Sequence, residues 1–272
     1  MIATRSTLLV GAFAALSAAS SVQAADLGGR GGSIKDDMPV LMQQSAARFY
    51  VRADGSYASY ERPAIDVDGK FDGYNNKISD HWSAGGGIGY YINKNWRTDF
   101  TLEQRFNSDV THSYAFNGGA STADAKFGLK STLGLFNVYY DFDTRTRFTP
   151  YVGAGLGWVD HKTSVGSVVD NCGCTSTIDS GSHSSVAGAL MAGVAVNLTR
   201  RGPSAGSGEG YAGGEVARNL YLDMGYRFLY LGEAKTGAIN ANLPVPTVVA
   251  ADPTVSEIHA HEFRVGLRYD FR

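Results

Sequence analysis

The sequence predicts an all-β fold: an eight-stranded antiparallel up-and-down transmembrane β-barrel with short periplasmic turns and long extracellular loops. Three observations predict it. Eight segments alternate apolar and polar residues with period two, the signature of strands with one dry face. The connections between them alternate between short and long, as barrel turns and loops do. Charged residues make up only 18% of the 272 positions, while Gly numbers 34 and Tyr 15, a composition suited to a sheet whose outer face meets lipid.

The chain opens MIATRSTLLVGAFAALSAASSVQAAD. Arg5 supplies a positive start, Leu8 to Ala19 a short apolar core, and Val22-Gln23-Ala24 a small-residue cleavage site. This reads as a secretory signal peptide over 1–24, too short to span a bilayer as a helix. Residues 25–46, including DLGGRGGSIKDD, read as a flexible periplasmic tail, and the barrel is expected over 47–272.

The strands are expected near 47–59, 81–92, 95–106, 128–142, 147–160, 183–198, 218–231 and 258–271. The first sets Phe49, Val51 and Tyr57 against Arg52, Asp54 and Ser56. WRTDFTLEQRF sets Trp96, Phe100, Leu102 and Phe106 against Arg97, Asp99, Glu103 and Arg105. LGLFNVYYDF, the fourth, alternates less cleanly and gives no defensible register. LYLDMGYRFLYL sets Leu222, Met224, Tyr226, Phe228 and Tyr230 against Asp223, Gly225 and Arg227. The last, HEFRVGLRYDF, sets Phe263, Val265, Leu267, Tyr269 and Phe271 against Glu262, Arg264, Arg268 and Asp270. Tight turns fall at Asn93 to Asn95 and Asp143 to Thr146, and long polar loops near 60–80, 107–127, 161–182 and 232–257. One connection departs from this plan: RRGPSAGSGEGYAGGE (200–215) is a long Gly-rich insert where a short turn belongs, and it reads as flexible.

Alternation alone leaves the side of the water open, and a two-sheet sandwich would satisfy it with the charges outward. The charges themselves favour the barrel. Arg52, Arg97, Arg105, Arg227, Arg264 and Arg268 balance Asp54, Asp99, Glu103, Asp223, Glu262 and Asp270, as a narrow closed interior requires and a solvent-facing wall does not. An eight-stranded barrel is just wide enough for side chains to fill. The network therefore reads as a salt-bridged plug, with a narrow ion path as its alternative.

TPYVGAGLGW (149–158), LYLDMGYRF (220–228), HEFRVGLRYDF (261–271) and the stretch ADLGGRGG (25–32) resemble the OmpA/OmpX-like outer-membrane β-barrel family, of the kind found among porin-family surface antigens of alphaproteobacteria. The resemblance implies residence in a Gram-negative outer membrane among lipid and lipopolysaccharide. It also implies that Phe263, Val265, Leu267, Tyr269 and Phe271 form the terminal signal read by the barrel-insertion machinery. Arg272, following the last aromatic, departs from the family pattern. Envelope integrity, adhesion or recognition of host or cell-surface ligands through the loops is the function it implies, and a narrow solute channel is the alternative.

Other chemistry is thinly represented. Cys172 and Cys174 share the third long loop and read as a local bridge or surface thiols; with His161 and His183 they make a weak candidate for a tetrahedral zinc set. The six histidines (His81, His112, His161, His183, His259 and His261) all fall at the extracellular end. His183 and Ser185 on one strand face are the only nucleophile–base pair worth naming for a lipid-modifying enzyme. The sequence calls for no cofactor, and the near-neutral net charge of −2 gives no case for nucleic acid.

Overall fold

Eight long strands follow one another around a closed ring: β1 (Phe49–Tyr60), β2 (His81–Tyr91), β3 (Trp96–Phe116), β4 (Ser121–Asp141), β5 (Phe148–Thr163), β6 (Gly181–Asn197), β7 (Asn219–Tyr230) and β8 (His259–Asp270). Each pairs antiparallel with the next, and β8 returns to β1 in a ladder running from Tyr50 opposite Asp270 to Tyr60 opposite Ala260. Closure leaves no edge in lipid, where an unpaired backbone group would cost several kcal/mol. This computed structural model describes residues 49–67, 71–72, 74–116, 120–199, 219–241, 247–250 and 253–271. The chain divides into Met1–Gln43 and Gln44–Arg272, and everything described belongs to the second unit. The expected signal peptide and tail, the 200–215 insert and Arg272 lie outside the described residues.

The strands put their large apolar residues outward. Phe263, Val265, Leu267, Tyr269 and Phe271 are all exposed, whereas Glu262, Arg264 and Arg268 are buried in the lumen. Outward aromatics pair into girdles at two levels: Phe49 with Tyr90 and Trp96 with Tyr140 near the turns, Tyr57 with Trp82 and Tyr226 with Phe263 toward the loops. The turns are tight for local reasons. Asn93 Oδ1 accepts the backbone N–H groups of Asn95 and Trp96, both at 2.9 Å, and Asp143 Oδ1 accepts that of Arg145, which sits at φ 54°.

Several glycines of the wall serve the lumen. A Cβ built on Gly193 would lie 2.6 Å from the Tyr151 hydroxyl, and one on Gly225 would lie 2.8 Å from it. The bare backbone of β6 and β7 is what leaves room for the end of the Tyr151 ring.

At the loop end the expected strand bounds of 106 and 128 fall short. β3 and β4 each run for 21 residues, so most of the long 107–127 connection continues the two strands as a hairpin beyond the barrel wall. A β-bulge marks the junction. Arg105 pairs with Ser131 and Ser108 with Leu129, so Phe106 and Asn107 stand opposite Lys130 alone. The extra residue shifts the phase of β3. Odd positions face inward up to Arg105, and even positions (Ser108, Val110, His112, Tyr114) face inward above it.

The other long connections are also folded. Tyr74–Ile78 pairs with the upper part of β3, and Gly166–Asp170 pairs with the upper part of β4. Gly166–Asp170 forms a hairpin with Thr175–Ile178, which pairs with Ile239–Ala241. Thr254–Ser256 joins Ala64–Val67 to Ala234–Lys235. Every extracellular loop thus hydrogen-bonds to both its neighbours, and together they make a cap. Its inside is apolar: Ile65, Ile78, Val110, Phe127, Val168, Ile178, Ile239 and Val255 are each at most 4% exposed.

Candidate functional site

The lumen is built in layers. Nearest the turns, Arg97 of β3 lies with its guanidinium carbon 3.9 Å from the centre of the Tyr139 ring and 5.0 Å from that of Tyr151. Its Nε donates to both Asp141 oxygens at 3.0 Å, and its Nη1 donates to the Tyr50 hydroxyl at 3.2 Å. Tyr50 passes a hydrogen bond on to Asp99 at 3.0 Å. Arg268 stacks 4.6 Å from the Tyr221 ring, with Asp223 at 3.7 Å and Asp270 at 3.5 Å.

In the middle layer Arg52 forks onto Asp54, at 2.8 Å from Nε and 2.7 Å from Nη2, and reaches Asp99 at 3.1 Å. Arg264 approaches Asp54 from the neighbouring strand at 3.2 Å. Asn137 donates to Asp99 at 2.7 Å.

The upper layer is a four-residue cluster. Arg227 Nη2 meets Glu103 Oε2 at 2.6 Å and also Glu262, while Arg105 bonds Glu262 closely and Glu103 at 3.4 Å. Arg105 also donates to the Tyr60 hydroxyl at 3.1 Å, and the Tyr60 ring stacks on His81 with centroids 5.3 Å apart. These four charges come from β3, β7 and β8 and join at the axis, directly beneath the apolar core of the cap. Each pair is desolvated, so its Coulomb attraction mainly offsets the cost of burial rather than adding stability.

The twelve charges named from the sequence each take part in one of these contacts. Asp141 was not expected there, nor were the lumen tyrosines Tyr50, Tyr60 and Tyr151. Asp141 hides in the segment whose alternation is weakest, because β4 carries apolar groups on both faces: Leu133, Leu135 and Tyr139 inward, Phe136 outward. The signal available was its parity with Asn137 and Tyr139.

The remaining candidate residues are dispersed. Cys172 and Cys174 are joined in a disulfide at the tip of the third loop, where Asp170 Oδ1 accepts the backbone N–H of each, at 3.1 and 2.8 Å. Their sulfurs gather with the Asp170 carboxylate within 4.8 Å, not with His161 and His183. His161 is buried with both ring nitrogens engaged, by Ser131 at 2.7 Å and by the Leu231 carbonyl at 2.9 Å. The local bridge is the arrangement formed, and the alternative grouping of these cysteines with His161 and His183 is not assembled. Ser185 is likewise occupied: its hydroxyl donates to the Glu233 carbonyl at 3.0 Å and accepts the Glu233 N–H at 3.1 Å, pinning the fourth loop to β6. His259 and His261 face outward at the rim, where Glu61 accepts from or pairs with His261 at 2.9 Å. His81 and His112 are buried.

A ring of eight strands with an apolar exterior, a charged lumen and folded extracellular loops has a match among known families. The model described as "Outer membrane protein beta-barrel domain" covers residues 11–271. The chain belongs to that family. Its location is accordingly the outer membrane of a Gram-negative cell, its outer wall in lipid. An uncharacterized protein of Brucella abortus is 27% identical over 267 residues, covering 85% of this chain and 88% of its own. A protein named as a candidate adhesin from Rickettsia bellii is 23% identical over 224 residues, covering 82% and 87% of the two chains. The crystal structure of Neisserial surface protein A superposes with a TM-score of 0.42 at 21% identity, over 84% of this chain and 100% of that one.

Proposed function

We propose that this outer-membrane barrel is a closed scaffold whose task is surface interaction, carried by the folded cap, and that it neither conducts solutes nor catalyses a reaction. What supports the reading is that side chains cross the interior at two successive levels. The Arg105–Glu262–Arg227–Glu103 cluster spans the axis, and the apolar core of the cap lies directly above it. An ion entering from outside would have to displace packed aliphatic groups and then separate buried ion pairs.

What is left facing outward is the cap, and its loops are ordered by mutual strand pairing. A preorganised surface binds at lower entropic cost than a mobile one. The adhesin-type name of the Rickettsia relative agrees with a role in contact with host or other cell-surface ligands. The hydroxyl of Ser185, spent on loop anchoring, argues against a lipid-modifying activity. The outward ladder of Phe263, Val265, Leu267, Tyr269 and Phe271 is the proposed signal for the barrel-insertion machinery.

The test is paired. Refolded protein is placed in a planar bilayer, and cells displaying it are scored for adhesion against cells displaying a variant with the 166–178 hairpin replaced by a short Gly-Ser link. The reading expects electrical silence and loss of adhesion in the variant. Stepwise conductance from the intact protein would replace the scaffold with a channel.

A further inference from the structure

The outward face of the barrel wall changes chemistry abruptly. Climbing β4 from the turns, the outward residues are Tyr140, Val138 and Phe136, then Thr132 and Lys130. On β5 they are Val152, Leu156 and Trp158, then Asp160 and Lys162. Ten residues separate Tyr140 from Lys130. At a rise of about 3.3 Å per residue and a tilt near ~40°, that is roughly 25 Å of height, the thickness of the apolar band of such barrels. The two lysines therefore stand just above the hydrocarbon, at the depth of outer-leaflet headgroups.

Lys130 and Lys162 are directly opposite one another in the β4–β5 ladder. Like charges in that position repel and destabilise a sheet. Four residues further along β4, Lys126 is neutralised by Asp109 at 2.9 Å. Among the described residues, no carboxylate oxygen lies within 4.0 Å of either Lys130 or Lys162. Asp160 shares their cleft, but its carboxylate is bonded by the Ser184 hydroxyl. The cleft itself has a volume of about 330 Å³ and opens where the bulge at Phe106 and Asn107 faces Lys130. Its back is fixed: the Gln104 amide donates to the Arg105 and Ser131 carbonyls at 3.1 and 3.0 Å and accepts from Thr132 at 3.0 Å. Phe106, 50% exposed, gives it one apolar wall.

We infer that this cleft binds the phosphate of a phosphorylated lipid of the outer leaflet. Two ammonium groups with no carboxylate partner among the described residues match a phosphate dianion, relieve their own repulsion by binding it, and sit at the depth where lipid phosphates lie. The adjoining Phe106 ring and the apolar wall below accept acyl chain. A free anion would use the first feature and neither of the others.

The experiment uses the full chain refolded in a maltoside detergent, with diphosphorylated lipid A as probe and native mass spectrometry as readout. One bound lipid is expected on the unaltered protein. Each lysine near a lipid surface contributes roughly fivefold, so Lys130→Gln and Lys162→Gln should each weaken binding by about that factor and the pair by about 25-fold. Lys126→Gln should leave affinity unchanged. All five proteins must show the same heat-dependent gel mobility, which these exposed positions permit. Wild-type affinity in the double variant would overturn the site. Equal binding of dephosphorylated lipid A would show that only acyl chains are recognised, and displacement by equimolar inorganic phosphate would show a free-anion site; either overturns the inference.

Discussion

Arg227 and Glu103 stand on opposite walls of the barrel, four strands apart around the ring in either direction, and their side chains meet at 2.6 Å. A contact across the full diameter ties β3 to β7 without any backbone pairing. Glu262 shares the same guanidinium. Arg227→Met would leave two buried carboxylates with Arg105 as their remaining close cation, and breaking a buried pair in this way costs about 3–5 kcal/mol. Pairing it with Glu103→Gln removes one stranded charge, so the double variant should recover a large part of that loss. Equilibrium unfolding in urea, with the barrel in micelles, reads the stabilities of the original, of Arg227→Met and Glu103→Gln alone, and of the double variant. Strictly additive losses would mean that the two side chains do not interact.

The cap makes a separate prediction. Phe127 is 3% exposed among apolar side chains above the barrel, and Phe127→Ala in such a core costs about 3–5 kcal/mol. That loss falls on the cap alone, since the strands below keep their ladders and their ion pairs. Protease added to intact cells should cut the loops of the variant and spare the original, while the unboiled gel band of both remains the folded one. Loss of the folded band would mean that cap and barrel unfold as one unit.

The barrel wall was legible in the sequence because lipid imposes a rule on every residue. A strand crossing hydrocarbon must show apolar groups to one side, and HEFRVGLRYDF or WRTDFTLEQRF cannot be written otherwise. The cap obeys no such rule. Its inward residues include Ala123, Ala125 and Val168, small enough to pass for loop composition, and the bulge at Phe106 and Asn107 reverses the parity on which strand reading depends. Asp141 was missed for a related reason: β4 is apolar on both faces, since Leu133 and Leu135 pack inward. Chemistry at a distance was not legible at all. Nothing in the spacing of Glu103, Arg105, Arg227 and Glu262 says that they meet at the axis.

His112 lies in the hairpin beyond the membrane, stacked on Tyr114 at 5.9 Å and edge-on to Phe127 at 6.3 Å. Burial pushes its imidazole down from 6.5 to about 4, with Asp124 opposing weakly. The folded cap thus holds the neutral ring, and the unfolded chain takes up a proton first as pH falls. The contribution is complete above about 6.5, declines as pH falls toward about 4 and is constant below that. At about 1.4 kcal/mol per unit of pKa, the loss approaches ~3 kcal/mol. Protease sensitivity of the cap should therefore rise between those two pH values, and His112→Phe should flatten that rise. A pH dependence unchanged in the variant would assign it to another group.

Gly193 and Tyr151 offer the most direct test of how the lumen is filled. A methyl group at Gly193 would sit 2.6 Å from both Cζ and the hydroxyl of Tyr151, well inside contact distance, and the Met224 carbonyl bars movement the other way. The Tyr151 ring cannot simply swing aside. Tyr139 meets it edge-on at 5.7 Å, and the Arg97 guanidinium lies 5.0 Å from its centre. Gly193→Ala should therefore destabilise the barrel by about 1–3 kcal/mol, the usual cost of overpacking. Shortening the obstacle should restore the space, so Tyr151→Ser alone leaves a cavity, and Gly193→Ala combined with Tyr151→Ser should be more stable than the two separate losses sum to. The two positions face each other across the β5–β6 ladder, Gly193 opposite Tyr151, so the coupling is between direct partners and a cycle of four urea curves measures it. Additivity would mean that β6 relieves the clash by moving its backbone, and the wall would then be more compliant than its ladder of paired strands implies.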